Sequence, residues 1–418
     1  MDSFRLEASG KWVLLASLVG VVTGLGAIAF DICVHAVRRV SLTQFAGYAP
    51  ADATGERVLF GHGTGEFVPW MILVVMICGG LVSGVLVYWV APEAEGHGTD
   101  AAIDAFHNRR GRIRPRIPIV KTIASAITLG TGGSAGREGP IAQIGAGFGS
   151  WLGTALKLSN RDRRIMLAAG MGAGVGAIFR APLAGSIFAA EILYSDADLE
   201  ADAIVPAATA SVVAYSVYTQ ALPPETRFMP LFGPDLNHSV ESPSQLLPYI
   251  VLAAALTLAA PLYVRCFYGT HNFFHRLPGI PHLKPALGAL LAGVVGLGML
   301  QFFAGDLRAL GVLGTGYGVL QLALTSAADL GIVLLLAIAL VKIVTTSLTI
   351  GSGGSGGVFA PSMVIGGCLG AAVGLWLQSV FPTLEIEPEA CAVVGMAGFF
   401  SGVGRAPIST IIMVRAMT

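Results

Sequence analysis

Long apolar runs recur through this sequence and constrain its fold more than any other feature. A membrane-spanning helix needs about 20 predominantly apolar residues. Runs of that order occupy residues 12–34, 69–91, 247–264, 284–304, 329–350 and 390–414. They do not alternate between apolar and polar residues, as the strands of a membrane β-barrel would. Because 54% of the residues are hydrophobic and only 12% are charged, about half the usual charged share, we predict an all-α polytopic membrane protein.

Two further runs, 117–129 and 141–158, are short or interrupted by Gly and Pro, which predicts helices that stop partway through the bilayer. Arginines flank this segment in two clusters, at 109–116 and 161–164. The positive-inside rule places both clusters in the cytoplasm, so the chain between them must enter the membrane and return. A nucleic-acid-binding patch is the alternative, but short loops between apolar runs disfavour it. The first run lacks the features of a cleaved signal peptide, so we expect a retained helix.

The chain also repeats itself. Residues 121–149 align with residues 342–370 at a constant shift of 221, and "RAP" at 180–182 returns at 405–407. This repeat predicts two homologous membrane halves, 1–221 and 247–418, joined by a polar connector at 222–246. Transporter halves are often inverted relative to each other, with the ion site at the midplane between broken helices.

Two glycine-rich loops fall inside the repeat, "GTGGSAGREGP" (130–140) and "GSGGSGGVFAP" (351–361). Each runs into a helix that is expected to start near a proline, a residue favoured in the first turn. The free N–H groups and positive dipole of such a start attract anions. Two converging starts would therefore form an anion site. The match of "GSGGSG" to a dinucleotide fingerprint lacks the required βαβ context, and a P-loop lysine is absent.

These segments resemble the signature motifs of the CLC chloride channels and proton-coupled chloride antiporters. The motifs are "GREGP" (136–140), "APLAG" (181–185), "GGVFAP" (356–361) and "RAPIS" (405–409). The resemblance implies a CLC-type inverted repeat of tilted and broken helices, in a multi-pass protein of a bacterial or archaeal inner membrane. It also implies a homodimer with one anion pathway in each subunit, chloride as the transported ligand, and no cofactor.

The resemblance assigns the gating carboxylate to Glu138. A carboxylate inside a membrane is costly unless it has a use or a partner, and this one can occupy the helix-end site that would hold the anion. The alternative is a structural carboxylate that caps the following helix, with Arg137 as its partner. By the same resemblance Gly136, Arg137, Val358 and Phe359 are expected to bind the anion, the last two through backbone N–H groups.

Two buried lysines belong to the same pattern. Lys121 matches a basic residue of the family, and Lys342 is its repeat partner. We interpret both as partly structural counter-charges near the pathway, and direct contact with the ion remains the alternative.

Three features depart from the family pattern. "GHGTD" at 96–100 stands where the family has "GSGIP", so His97 replaces an anion-coordinating serine, beside Gly98. A histidine with a pKa near 6.5 could add a positive charge, or could turn away from the pathway. A fluoride-transporting branch of the family also lacks the serine, which leaves the choice of anion open.

The other departures concern the inner end of the pathway. The chain ends at Thr418, whereas the family continues with a helix that carries a tyrosine of the central site, so either the second half is incomplete or the inner gate differs. Ile192 stands where proton-coupled members carry an inner glutamate, and the adjacent Glu191 is either a helix-end carboxylate or part of a proton pathway with Glu138.

The resulting prediction is passive anion conduction gated by Glu138, with a proton-coupled chloride or fluoride antiporter as the alternative. A cation-coupled solute transporter would need carboxylates or unwound carbonyls around its cation, which the apolar core does not offer. No paired nucleophile and base supports an enzyme. The five isolated cysteines make no CxxC pair, so neither a disulfide framework nor a metal site is expected.

Overall fold

The computed structural model of the chain describes residues 2–56, 59, 65–193, 201–233 and 246–418. Residues 234–245 of the predicted connector lie outside the described residues. The described part folds into α-helices joined by turns, by longer loops and by short segments of other helical types. Their bounds are α1 Asp2–Arg38, α2 Pro69–Val90, α3 Thr99–His107, α4 Arg116–Gly130, α5 Glu138–Ala155, α6 Asn160–Ile178, α7 Pro182–Leu193, α8 Ala201–Gln220, α9 Leu247–Arg276, α10 Lys284–Phe302, α11 Tyr317–Thr325, α12 Ala327–Gly351, α13 Phe359–Val380, α14 Pro388–Gly404 and α15 Pro407–Met417.

Six helical segments of the described chain are long and apolar enough to cross a membrane. Five of them overlap predicted runs, and the sixth, α13, was not among those runs. The predicted span at 390–414 is wrong, because this run forms two helices rather than one. Arg405 adopts a left-handed conformation with φ of 54° and ends α14, and Pro407 starts α15. A proline at a first turn and a left-handed residue before it are both incompatible with one continuous helix.

At both glycine-rich loops one helix ends and another begins near a proline, as predicted. Helix α4 ends at Gly130, and α5 begins at Glu138 with Pro140 in its first turn. In the second loop, α12 ends at Gly351 and α13 begins at Phe359, two residues before Pro361. A new helix therefore starts at the end of each loop, and its first residue is buried in the protein interior.

The two loops meet each other through their backbones. Gly136 N–H donates to Gly357 O, and Gly357 N–H donates to Gly136 O, both at 2.7 Å, which is a short antiparallel bridge. Gly136 and Gly357 are related by the shift of 221. A Cβ atom on Gly136 would lie 3.0 Å from the N and Cβ of Ala360, so this approach requires glycine.

Side-chain pairs extend the contact between the repeated segments. Ser125 Oγ lies 2.9 Å from Ser355 Oγ, and Ser134 Oγ lies 2.9 Å from Thr346 Oγ1. The shift of 221 converts the first pair into the second, so each hydroxyl pair is the repeat equivalent of the other. The boundaries predicted for the two halves stay a prediction.

The arginine clusters lie on one face of the protein. The Arg163 guanidinium donates to Arg110 O through Nε at 3.0 Å and through Nη2 at 2.8 Å. The ends of the segment that the sequence predicts to enter and return are therefore adjacent. Between them, Glu138 is buried in the interior.

Candidate anion site

Glu138 begins α5 and is only 1% exposed. The Tyr317 hydroxyl donates a hydrogen bond to Glu138 Oε1. The backbone N–H groups of Glu138 and Ala360, at the starts of α5 and α13, also interact with the carboxylate, although Oε2 makes no hydrogen bond of regular geometry. The carboxylate thus occupies the place where two helix starts favour a negative charge.

Gly136 lies directly behind this carboxylate. A Cβ atom at Gly136 would collide with Glu138 Oε2. The glycine that allows the two loops to meet therefore also makes space for the Glu138 side chain.

Arg137 is buried beside Glu138 but binds other carboxylates. Its Nη1 donates to Asp31 Oδ1 at 2.8 Å, and its Nη2 donates to Glu56 Oε1. Its Cζ lies 5.9 Å from the centre of the Tyr317 ring. The guanidinium therefore influences Glu138 through its charge rather than through a direct hydrogen bond, and any contact of Arg137 with the anion is expected from its backbone.

Val358 and Phe359 stand at the start of α13, as the sequence predicts for backbone donors. The Phe359 ring packs on the ring of Phe400 at 4.0 Å and on that of Phe188 at 5.0 Å between centroids. These contacts point the aromatic side chain into the core. The N–H groups of the first turn are left without intrahelical acceptors, as in every helix, and remain the candidate anion donors.

A cavity of about 920 Å³ adjoins this helix start. Its lining includes His97, Glu191, Ile192, Val358 and Phe359. Four of the predicted site residues therefore line one cavity. Ile192, which differs from the family pattern, lines it as well. Glu138 and Gly136 are not part of this lining and lie at the junction of the loops.

His97 contributes an imidazole to the cavity wall, and Gly98, with φ of 85°, starts α3 immediately after it. His97 Nε2 lies 2.9 Å from Asp100 Oδ2. Nδ1 is buried without a hydrogen-bond partner in the described part of the chain. The hydrogen bond from His97 lowers the pKa of the Asp100 carboxyl, so Asp100 is charged at neutral pH.

Glu191 caps a helix. Its Oε1 accepts from Ile408 N–H at 3.0 Å, and its Oε2 accepts from Ser409 N–H at 2.9 Å and from Ser409 Oγ at 2.7 Å. These donors belong to the first turn of α15. These contacts are those expected of a helix-end carboxylate. The place of Glu191 in a proton pathway remains a prediction.

Lys121 and Lys342 are both fully buried. Lys121 Nζ donates to Ala94 O at 3.1 Å and to Gly96 O at 2.6 Å. Lys342 Nζ donates to Gly311 O at 2.9 Å and to Gly314 O at 3.3 Å. Each ammonium holds the loop that precedes a short helix, α3 in the first half and α11 in the second.

Sequence reasoning missed two tyrosines. The sequence offers only a weak signal for Tyr317, since "GTGYG" at 314–318 shares the two glycines of "GHGTD" at 96–100 and places Tyr317 opposite Thr99. Tyr263 of α9 carries no comparable signal. It lines the cavity and is 2% exposed, and its hydroxyl has no hydrogen-bond partner of regular geometry among the described residues.

The comparisons with known proteins agree with this architecture. Residues 79–418 match the sequence profile of the voltage-gated chloride channel family. The chain belongs to the CLC family. It is therefore a multi-pass membrane protein of an anion-transporting family. In the described residues of this CLC protein, no group of three His, Cys, Asp or Glu side chains could hold a metal ion.

Curated relatives of this CLC protein are transporters. It is 30% identical over 410 residues to the H(+)/Cl(−) exchange transporter ClcA of Yersinia pseudotuberculosis serotype IB (strain PB1/+), which covers 97% of this chain and 80% of the relative. It is also 30% identical over 413 residues to ClcA of Yersinia pestis bv. Antiqua (strain Angola), with the same coverage.

Solved structures share the fold. A slow cyanobacterial Cl−/H+ antiporter superposes with a TM-score of 0.77 at 23% identity, over 97% of this chain and 89% of the other. A CLC-type fluoride/proton antiporter gives a TM-score of 0.74 at 21% identity, over 99% and 95% of the two chains. At these identities the likeness establishes the fold and does not choose between the two anions.

Proposed function

We propose that this CLC protein exchanges chloride for protons, with Glu138 as the group that both blocks the anion and carries the proton. The observation that carries the proposal is the position of Glu138, a buried carboxylate at the start of α5 and against the start of α13. A carboxylate and a chloride ion compete for the same helix-end donors, because both are anions. Protonation removes the charge of the carboxylate and lets chloride take its place.

The relatives support exchange more than the passive conduction expected from Ile192. Both Yersinia proteins are named H(+)/Cl(−) exchange transporters. Ile192 cannot bind a proton, so the inner part of the proton route needs another carrier. The cavity of about 920 Å³ is large enough for water and is lined by His97 and Glu191 as well as Ile192. We therefore assign the inner proton transfer to water in this cavity.

The anion route uses the same cavity from the inside. Chloride would bind the N–H groups of Val358 and Phe359 at the start of α13 and pass to the place that the Glu138 carboxylate occupies. His97 lines the inner approach. Since helix starts supply partial rather than full charges, the ion is held weakly enough to leave.

The test is the reversal potential of the purified protein in liposomes with equal chloride on both sides and a pH step across the membrane. Exchange predicts a clear displacement from zero, and Glu138→Gln should keep chloride transport while abolishing proton transport and flattening the pH dependence. A wild-type reversal potential that stays at zero would favour passive conduction. Repeating the experiment with fluoride in place of chloride identifies the preferred anion.

We further propose that two copies assemble as a homodimer with one pathway in each. This proposal rests on membership of the CLC family alone. The mass of the purified protein in detergent, corrected for bound detergent, tests it. A mass that corresponds to one chain at the concentrations used for transport would overturn it.

A further inference from the structure

Tyr317 approaches the Glu138 carboxylate from the second half of the chain. We propose that Tyr317 is a positioning residue that holds the Glu138 carboxylate in the anion site and thereby sets the pH at which transport turns on. The proposal rests on the proposed role of Glu138 and adds the residue that regulates it. It concerns one hydrogen bond, from Tyr317 Oη to Glu138 Oε1.

Burial strengthens this hydrogen bond. Tyr317 is fully buried and Glu138 is 1% exposed, so water does not compete for either group. A hydrogen bond to an ionised carboxylate is roughly twice as strong as one between neutral groups. The phenol therefore stabilises the charged, blocking form of Glu138 more than the protonated form.

The phenol is held in place by its surroundings. Tyr317 begins α11 directly after Gly316, whose φ is 79°. Its ring meets the edge of the Phe232 ring at 5.5 Å and 85°, and the carbonyl of Phe232 accepts from Gln321 Nε2 at 2.9 Å. The contacts from α11 thus fix both the ring and its neighbour, and Oη is aimed at the carboxylate before any proton arrives.

No other side chain in the described residues makes a hydrogen bond to Glu138. Arg137 is adjacent, but its guanidinium binds Asp31 and Glu56. Several charged or titratable groups surround this pair and would still be present without the Tyr317 hydroxyl. They are Asp31, His35, Glu56, Arg137, Arg180 and Tyr218. A pH effect specific to Tyr317 must therefore be separated from theirs.

Tyr317→Phe keeps the ring and removes only the hydroxyl. Without the donor the blocking carboxylate is less stable, so protonation and opening occur at lower proton concentration. We expect the pH of half-maximal chloride flux to rise by about one unit, as a hydrogen bond to a charged group would give. At a fixed pH above the wild-type midpoint this corresponds to up to about ten times more flux.

The experiment compares four proteins in liposomes between pH 5 and pH 8: wild type, Tyr317→Phe, Glu138→Gln and the double variant. The double-mutant cycle isolates the coupling between the two residues. We expect Tyr317→Phe to shift the wild-type profile and to have no effect when Glu138 is already Gln. Tyr48→Phe is the matched control, because Tyr48 lies on the connection between α1 and α2 and packs on Phe67 instead, and it should leave the profile unchanged.

The outcomes distinguish this proposal from the one on which it rests. If Glu138→Gln leaves flux and its pH profile unchanged, the role of Glu138 fails. If Glu138→Gln acts but Tyr317→Phe has the wild-type profile, only the role of Tyr317 fails. Equal shifts in both backgrounds would also overturn it, since they would indicate a general structural effect.

A second variant protects the test against poor folding of Tyr317→Phe. Difluorotyrosine at position 317 keeps the hydroxyl and makes it a stronger hydrogen-bond donor. It should move the half-maximal pH in the opposite direction, to lower values. A shift in the same direction as Tyr317→Phe would contradict the proposal.

Discussion

The two ring nitrogens of His97 have different surroundings. Nε2 pairs with Asp100 at 2.9 Å, and Nδ1 is buried without a partner in the described chain. When Nε2 carries the proton of the neutral ring, Nδ1 is an acceptor and offers nothing to an anion. Protonation converts Nδ1 into a donor and adds a positive charge at the cavity wall. An imidazole that carries both protons therefore offers an anion in the cavity a donor that the neutral ring lacks.

We expect His97→Ser to remove part of the increase in chloride affinity between pH 7.5 and pH 5.5. Calorimetric binding with Glu138→Gln as the background would measure it, because that background removes the response of the gate. Asp100→Asn should reduce the same increase, because the lowered pKa of the Asp100 carboxyl keeps it charged over this range and the variant removes the carboxylate that pairs with Nε2 at 2.9 Å. Identical binding curves in all three proteins would place the imidazole outside the pathway.

Arg137 connects three elements in one buried cluster. It starts from the turn before α5, binds Asp31 on α1 and binds Glu56 on the loop that follows α1. Removing one partner of a buried pair leaves the others charged and unpaired, which costs about 3–5 kcal/mol. An exposed pair contributes only about 0–1 kcal/mol. The start of α5, and with it the position of Glu138, therefore depends on this cluster.

Arg137→Met should lower the free energy of unfolding by about 3–5 kcal/mol. Arg308→Ala is the control, because Arg308 pairs with Asp306 at 2.8 Å on the surface and should change the same quantity by at most about 1 kcal/mol. Denaturant unfolding in detergent provides the comparison. Equal losses in the two variants would mean that the cluster around Arg137 contributes no more than a surface pair.

At the scale of the whole molecule, the two repeat-related lysines make equivalent contacts in the two halves. Lys121 holds the loop that carries His97 at the inner cavity, and Lys342 holds the loop that precedes Tyr317 beside Glu138. Gly136 and Gly357 join the halves between these two positions. In the proposed pathway, the two lysines therefore support two different positions, the cavity wall at His97 and the Glu138 carboxylate.

Replacing each lysine by Met should therefore give two different results. Lys342→Met should move the pH of half-maximal flux upward, as Tyr317→Phe does, because the loop before Tyr317 loses its anchor. Lys121→Met should mainly weaken chloride binding at the inner cavity. Flux and binding measurements on both variants test this. If both variants change only the pH of half-maximal flux, or both change only chloride binding, the two lysines do not have separate roles.

The sequence by itself determined the membrane class, five of the six long apolar helical segments, the two glycine-rich loops and the place of Glu138 near a helix start. Hydropathy, proline and glycine act over a few neighbouring residues, so these features can be recognised locally. The error at 390–414 arose because hydropathy does not report the left-handed turn at Arg405. Only the tertiary structure decided which distant residues contact each other. Arg137 binds a residue 106 positions away, Tyr317 reaches Glu138 across 179, and Glu191 caps a helix 218 positions along. Packing brings such residues together, and no local pattern encodes their distance.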